Sequence, residues 1–284
     1  YLQTGYVRNT GLELSLGYGH TWNNNFRWDS NFTLSHNKNK IKELVRDYVH
    51  PETGELINKD RLDVGGLGKA RFILKEGGTL GDLYTQSDLK RDDNGMVDID
   101  PTGIVAIENN LPDIKLGSVF PKANLAWSNH FSWKGISLSA LFTARIGGIV
   151  YSATEAAMDQ YGVSERSALA RDNGGVLVNN RTLVDAQNYY TTIGSESGLP
   201  QYYTYNATNV RLQEASIGYL IPRKWLGNVC DIQVSVIGRN LWMIYNKAPF
   251  DPESVATTDN YYQGIDYFML PSTRNIGFNV KINF

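Results

Sequence analysis

The sequence contains only one cysteine, Cys230, among its 284 residues. A single cysteine can form neither an internal disulfide nor a cysteine-based metal site. No apolar run reaches the roughly 20 residues that a membrane-spanning helix needs. Charge of either sign is not in excess, because 27 Lys and Arg residues face 29 Asp and Glu residues. These shortages exclude a disulfide-stapled domain, a helical membrane protein and a strongly basic nucleic-acid-binding protein.

Methionine and proline are also scarce, with 4 and 9 residues, whereas the chain holds 17 Tyr, 6 Trp and 27 Gly. Aromatic side chains suit the pleated surface of a strand, and glycine suits the turns between strands. The composition therefore favours an all-β protein over a helical one.

Apolar and polar residues alternate in several segments. The clearest runs from Ile136 to Ile146, where Leu138 and Phe142 share one face while Ser139 and Thr143 share the other. This alternation predicts strands with one apolar and one polar face. The same pattern, with less regular stretches, recurs at residues 12–22, 26–35, 122–133, 210–221, 230–242 and 275–284.

The connections between these segments alternate between short and long. Long stretches rich in Asp, Asn, Tyr and Gly lie near residues 37–68, 86–119, 148–207 and 243–269. Short periplasmic turns and long extracellular loops are typical of outer-membrane barrels. Trp22, Trp28, Trp133 and Trp225 lie near the short turns, where an aromatic girdle would meet the headgroups. We therefore predict an antiparallel transmembrane β-barrel.

The number of barrel strands depends on one weak hairpin. The pattern indicates nine strands if residues 70–75 and 80–85 belong to the barrel and seven if they do not. Both counts are odd, whereas bacterial single-chain barrels have an even number of strands. We therefore expect this chain to begin inside a larger barrel. An irregular pattern near Gln213 predicts either a β-bulge or a change of environment.

Several ordered motifs resemble one family. These are EGGTLGDLY, LGSVFPKANLAW, NVRLQEASIGYLIPRKWLGN, IGRNLWMIYNKAPFDPES and LPSTRNIGFNVKINF. In this order they resemble the SusC/RagA group of TonB-dependent outer-membrane transporters of the Bacteroidetes.

The resemblance implies that residues 1–284 are the C-terminal part of a 22-stranded barrel with long extracellular loops. The plug domain and the TonB-binding segment are then expected outside this chain. It further implies active import of glycans or peptides across the cell outer membrane, with a SusD-like surface lipoprotein and TonB as partners and no cofactor. Gly277, Phe278 and the terminal Phe284 would belong to the signal that the barrel-assembly machinery reads.

Candidate ligand contacts lie in the tyrosine-rich loops. Tyrosine offers a ring for stacking and a hydroxyl for hydrogen bonding at a low entropic cost. The alternative is that these tyrosines pack the loops against one another. The candidates are Tyr189, Tyr190, Tyr202, Tyr203, Tyr205, Tyr261, Tyr262 and Tyr267, and the residues expected to face the lumen are Arg145, Arg239 and Lys281.

Two further patterns suggest chemistry only weakly. In residues 89–101, Asp92, Asn94 and Gly95 fit an EF-hand loop, but Lys90 and Pro101 occupy the positions of its first and last ligands, which favours a solvated turn. His20, His36, His50 and His130 are scattered, with no visible Ser-His-Asp grouping. We therefore expect no metal site and no enzyme. A passive porin and a barrel-embedded hydrolase remain alternative hypotheses.

Overall fold

A computed structural model describes residues 5–257 and 262–283. These residues form twenty strands, three α-helices and two short 3-10 helices. The strands are β1 Tyr6–Thr21, β2 Arg27–Glu43, β3 Val45–Val49, β4 Leu56–Lys59, β5 Arg61–Leu67, β6 Ala70–Lys75, β7 Asp82–Thr85, β8 Asp88–Leu89, β9 Ile107–Glu108, β10 Ile114–Ser118, β11 Ala123–Trp133, β12 Ile136–Ile146, β13 Ile149–Ser152, β14 Val176–Val178, β15 Thr182–Val184, β16 Thr204–Asn206, β17 Asn209–Ile221, β18 Asp231–Asn246, β19 Ile265–Asp266 and β20 Asn275–Asn283. The helices are α1 Ala153–Gln160, α2 Glu165–Asp172 and α3 Ala186–Gly194, and the 3-10 helices are Pro200–Tyr203 and Arg223–Leu226. Within the described residues, no helix combines the length and apolar character that crossing a membrane requires.

Seven long strands form one antiparallel sheet, which we call the wall, in the order β1-β2-β11-β12-β17-β18-β20. Wall strands that follow one another along the chain are paired, so the sheet has the order of the sequence, with β1 and β20 at its edges. Seven was the smaller of the two counts predicted. The weak hairpin instead belongs to a separate four-stranded sheet, β10-β7-β6-β5, so its turn at residues 76–78 is not one of the wall's turns. Strands β6 and β7 are too short and too buried to be two-faced wall strands.

The turn between β11 and β12 shows how the sequence fixes the register. Lys134 and Gly135 both have positive φ, 48° and 88°, as a two-residue hairpin turn of the twist-compatible kind requires. The register places Trp133 opposite Ile136 and Phe131 opposite Leu138. The apolar side chains of both strands therefore lie on the same face.

The apolar face of the wall is exposed along its length. Leu12 is 61% exposed and Phe278 is 82% exposed, and Leu16, Leu138 and Ile217 are exposed as well. A face of large apolar side chains that the chain itself does not cover is stable in lipid rather than in water.

Two polar residues interrupt this apolar face. Ser30 and Asn129 are cross-strand partners, and each accepts a hydrogen bond from an indole N–H. Trp127 Nε1 donates to Ser30 Oγ at 3.0 Å, and Trp28 Nε1 donates to Asn129 Oδ1 at 3.1 Å. Polar groups in lipid need such internal partners. The sequence pattern missed this pair because the alternation on either side is regular.

The predicted bulge near Gln213 is confirmed. The register shifts between Leu212 and Glu214 in the pairing of β17 with β18, and the pairing of β12 with β17 shifts at the same level. The extra residue lets Arg211 and Glu214, which are an odd number of positions apart, both lie on the polar face.

The long connections fold together instead of forming irregular loops. We call residues 44–120, 147–208 and 247–270 the loop module, within the described part of the chain. Its helices begin at side chains that cap them: Ser152, Ser164 and Asp185 accept bonds from the backbone N–H groups of Glu155, Ser167 and Asn188. The main hydrophobic core lies entirely in this module. Its buried members are Ala70, Phe72, Leu83, Leu89, Val97, Val105, Val119, Tyr151, Ala156, Val178, Val184, Ala186, Tyr190, Ile193, Leu199, Tyr203 and Ile265.

Candidate functional site

The polar face of the wall carries its side chains in cross-strand rows. The row nearest the loop module joins Glu13 to Ser35, Ser35 to Asn124, and Asn124 to Arg145. The next row contains Ser15, Thr33, Ala126 and Thr143. Together the two rows line a cavity of about 670 Å³ that also reaches Gln213 and Glu253. Hydroxyls, amides and charges therefore line much of this cavity.

Arg145 lies at the end of this row beside the loop module. Its Nη2 donates to the carbonyl oxygen of Val119 at 2.7 Å. Its Nε is buried and has no hydrogen-bond partner among the described residues. Within that part of the chain, no carboxylate lies at salt-bridge distance from its guanidinium. Arg145 is thus on the polar face, where the sequence predicted it, and the Glu253 carboxylate in the same cavity is near enough to act on its charge.

Arg211 forms the best-buried ion pair of the wall. Its Nη1 and Nη2 donate to the two carboxylate oxygens of Asp251 at 3.1 and 2.8 Å, and the two side chains are only 5% and 9% exposed. Glu253 lies 3.3 Å from Arg211 and also accepts from Asn209 Nδ2. Burial alone would raise the pKa of Asp251, but hydrogen bonds from Arg211 and from the Glu253 backbone outweigh it and lower that pKa. The segment after β18 is therefore fixed to the start of β17.

This ion pair joins two motifs that sequence reasoning left separate. Arg211 lies in NVRLQE, and Asp251 and Glu253 lie in FDPES. Both motifs were quoted for the resemblance, but no pairing was predicted. An arginine in the apolar-polar strand pattern and an acidic pair about 40 residues later give no local signal of contact.

The other two residues expected to face the lumen lie on the same polar face. Arg239 Nε donates to Glu214 Oε2 at 2.8 Å across the β17–β18 pair. Lys281 is the cross-strand partner of Gln233. All three side chains are on the side away from the exposed apolar residues. That this side encloses a lumen in the complete barrel remains a prediction.

The tyrosine group divides by burial. Tyr203 is 1% exposed and Tyr190 is buried beside it in the core of the loop module. Tyr203 donates to Asp159 Oδ2 at 2.9 Å, and the same carboxylate oxygen lies 2.6 Å from Arg166 Nη2. Burial raises the pKa of the Tyr203 hydroxyl, and the neighbouring Asp159 adds to that rise. Tyr203 packs the core of the module and offers no surface to a ligand, which corrects its assignment as a ligand contact. Tyr190 is 7% exposed and lines a cavity with Asp159 and Arg171, so its role as a ligand contact remains a prediction.

The remaining tyrosines lie nearer the surface. Tyr189 and Tyr202 pack half-buried against the main core, and Tyr205 packs edge-on against Phe250. Burial raises the pKa of Tyr202 to about 12. Tyr262 and Tyr267 are exposed, the latter by 53%. Tyr261 lies outside the described residues. Tyr262 and Tyr267 therefore remain predicted contacts for a ligand or a partner protein.

The acidic segment at residues 89–101 is explained by its turns. Asp92 Oδ1 accepts from the backbone N–H groups of Asn94 and Met96. Asp100 Oδ1 accepts in the same way from Thr102 and Ile104. The two turns are eight residues apart, and each has a glycine three positions after its aspartate, which is an internal repeat that was not predicted from the sequence. Within the described residues no group of three metal-ligating side chains occurs.

Cross-strand register does bring together a serine, a histidine and an aspartate. Asp29 is opposite His130, and His130 is opposite Ser139, on the polar face. Asp29, however, is bonded by Arg27 at 2.6 Å, and Ser139 Oγ bonds Ser216 Oγ at 2.5 Å. Among the described residues, His130 has no hydrogen bond to either group. The grouping that the sequence did not reveal therefore lacks the contacts of a catalytic triad.

Of the expected assembly signal, Gly277 and Phe278 lie in β20, whose residues are exposed throughout. Phe284 lies outside the described residues. The role of these residues remains a prediction.

Comparison with known proteins agrees with this geometry. No family model matches the chain. TonB-dependent receptor P3 of Formosa agariphila is 25% identical over 98% of the chain, and TonB-dependent receptor P26 of the same organism is 24% identical over 99%. Solved structures of the RagAB peptide importer in its closed-closed state and of the RagAB peptide transporter match 99% of the chain at 18% identity, with TM-scores of 0.67 and 0.64.

The chain is therefore similar in sequence to part of two TonB-dependent receptors, and it shares its fold with part of the RagAB chains. It spans 29% of the length of each receptor and 30% of each RagAB chain. The wall thus has the fold of an arc of a barrel. These relatives are named as receptors and transporters, not as enzymes.

Proposed function

We propose that this chain forms part of the wall and the outer loops of a TonB-dependent importer of oligomeric nutrients, glycans or peptides, in the cell outer membrane. The observation that carries the proposal is the joining of two unlike parts. An arc with a lipid-type outer face and polar inner rows carries a water-folded module at one end of its strands. The names of the similar proteins support the same conclusion.

The proposal assigns partners by surface. A SusD-like surface lipoprotein would rest on the loop module, where Tyr262 and Tyr267 are exposed. TonB would act on a segment outside these 284 residues. A plug domain would lie outside them as well. Gly277, Phe278 and Phe284 would guide assembly of the barrel, and Arg145, Arg239 and Lys281 would line the lumen.

Uptake in cells tests active import against the passive porin. Cells that carry the complete receptor gene, or its deletion, are given labelled oligosaccharides and oligopeptides, with and without a functional TonB. We expect uptake of one class that requires both the gene and TonB. Uptake that needs the gene but continues without TonB would identify a porin instead. Hydrolysis of a labelled oligosaccharide or oligopeptide by the purified receptor would support the hydrolase alternative.

A further inference from the structure

The apolar face of the wall becomes basic where β1 and β2 approach the loop module. In β2 the residues on this face are, in chain order, Trp28, Ser30, Phe32, Leu34, His36, Lys38 and Lys40. In β1, Thr10 lies opposite Lys38 and Arg8 lies opposite Lys40. We call Arg8, Lys38 and Lys40 the basic patch. It continues the apolar face directly, on the same strands.

The basic patch lies on the side of the sheet away from the loop module. The alternate side chains of β2, Asn37 and Asn39, line a cavity together with Leu80 of the module. Because side chains alternate across a strand, Lys38 and Lys40 lie on the opposite side. Both lysines are exposed, as are the apolar residues that precede them on the neighbouring strand β1. The patch is therefore open to whatever surrounds the apolar face.

No acidic side chain lies on this face of β1 or β2. The acids of the two strands, Glu13, Asp29 and Glu43, all occupy the alternate positions. Within the described residues, neither Lys38 nor Lys40 forms a salt bridge. A strand beyond the edge strand β1 would lie two inter-strand steps, about 10 Å, from these lysines. The two lysines of β2 are thus a local excess of positive charge.

The position of the patch along β2 matches the edge of a membrane. Trp28 lies near the short turn, and Lys38 follows ten residues later. Ten residues span about 33 Å along a strand, which is about 25 Å across the bilayer at a strand tilt of about 40°. The apolar band of an outer-membrane barrel is about 25 Å tall. With Trp28 at one edge of this band, Lys38 lies at the other edge and Lys40 just beyond it.

We propose that Lys38 and Lys40 bind the phosphate groups of a phosphorylated lipid in the outer leaflet. Phosphate supplies the negative charge that this face lacks, and ammonium groups bind it through charge-assisted hydrogen bonds. The acyl chains of the same lipid would lie along the exposed Leu12 and Leu14 below the patch. An acidic protein would match the charges but not the apolar residues beside them.

This inference rests on the proposed function, because it requires that the apolar face meets lipid and that the loop module lies outside the cell. It adds a lipid partner that nutrient import by itself does not require.

Lipid binding by the purified complete receptor tests the proposal without requiring transport. Native mass spectrometry in detergent measures the affinity for diphosphoryl lipid A and for the same lipid after its phosphates are removed. A lysine near a charged lipid surface contributes about fivefold in affinity. The double variant Lys38→Gln, Lys40→Gln should therefore bind the diphosphoryl form about 25-fold more weakly than the wild type. The dephosphorylated form should bind both proteins equally.

Two controls separate charge from structure. Lys38→Arg with Lys40→Arg keeps both charges and should retain the affinity for the diphosphoryl form. Lys59→Gln removes an exposed lysine from β4 in the loop module and should change nothing. If the double glutamine variant fails to assemble, Lys40→Gln alone should still weaken binding about fivefold.

Three outcomes would overturn the proposal. The first is equal affinity of the wild type and the glutamine variants for diphosphoryl lipid A. The second is a wild type that does not distinguish the phosphorylated from the dephosphorylated lipid. The third is that the glutamine variants lose a protein partner and keep the lipid. Failure of the import function would appear differently, as nutrient uptake that continues without TonB while phosphate-dependent lipid binding is unchanged.

Discussion

The wall and the loop module place their apolar side chains in opposite ways. In the module, Phe72, Leu83 and Tyr203 are almost completely buried. In the wall, Leu12, Leu138 and Phe278 are exposed, and the main core contains no wall residue. The module can be stabilised in water by burial, whereas the wall depends on ladder hydrogen bonds and on lipid as its solvent. One sequence thus contains a region suited to water and a region suited to lipid.

The charged side chains also differ between the module and the wall. In the module, Asp113 has a side chain that is 4% exposed and lies 2.7 Å from both Arg61 and Lys75. Asp159 is likewise buried and bonded by three groups. On the polar face of the wall, charges pair sideways between strands, as Arg239 does with Glu214. Full burial with several partners is typical of a water-folded core.

The largest expected effect comes from opening the module's core. Phe72→Ala should destabilise the module by about 3–5 kcal/mol, since it removes a fully buried aromatic side chain. Leu16→Ala, a truncation on the exposed face of β1, is the control and should leave the module unchanged. Hydrogen exchange of the assembled receptor measures both. Equal protection of the module's amides in the two variants would contradict the conclusion that burial stabilises the module.

A charge placed on either face of β12 should reveal which face meets lipid. Leu138→Arg should cost roughly 2–4 kcal/mol if that site lies near the bilayer midplane, whereas Ser139→Arg on the polar face should be tolerated. Yield of heat-resistant assembled barrel gives the readout.

A labelling experiment distinguishes lipid from protein burial at the same position. A cysteine introduced by Leu138→Cys should resist a water-soluble thiol reagent and react with a lipid-phase one. Protection from both reagents would mean that protein, and not lipid, covers the apolar face of the wall.

Acidification should weaken the module before the wall. Hydrogen bonds from Arg61 hold the pKa of Asp113 well below its usual 3.8, despite the opposing effect of burial. A carboxyl group whose folded pKa is lowered stabilises the fold above its unfolded pKa, and that stability is lost as pH falls below 3.8 towards the folded pKa. Protease sensitivity of the module should therefore rise below about pH 4, and Asp113→Asn should remove much of this pH dependence.

The strand pattern predicted most of the wall and little of the module. Period-two alternation survives in the wall because each face has a single solvent, so the segment from Ile136 to Ile146 matched β12 at both ends. In the module, strands of two to seven residues pack on several sides, and no single period remains. Tyr203 illustrates the failure, since nothing local distinguishes a core tyrosine from an exposed one such as Tyr267.

The sequence predicted on which face of the sheet the candidate site residues lie. It did not predict which side chains they contact. Alternation placed Arg145, Arg239 and Lys281 on the polar side. It could not place Glu13 in one row with Arg145, because that depends on the register of three strand pairs. Nor could it pair Arg211 with Asp251, since that contact needs the bulge at Gln213 and the return of the segment after β18.

The smallest expected effect concerns the polar pair on the outer face. Trp127 Nε1 donates to Ser30 Oγ at 3.0 Å within a surface that meets lipid. Trp127→Phe removes this donor and should cost about 0.5–1.5 kcal/mol, the net value of one hydrogen bond. Ser30→Ala removes the acceptor and should cost a similar amount. Because each change deletes the same bond, the double variant should cost little more than either single one, which is the result expected of directly coupled residues. Unfolding of the assembled barrel in lipid vesicles provides the four free energies, with Trp133→Phe near the Lys134–Gly135 turn as the control that shares no bond with Ser30. Strictly additive costs would show that the indole and the hydroxyl act independently, and that the outer face tolerates Ser30 for a reason other than this bond.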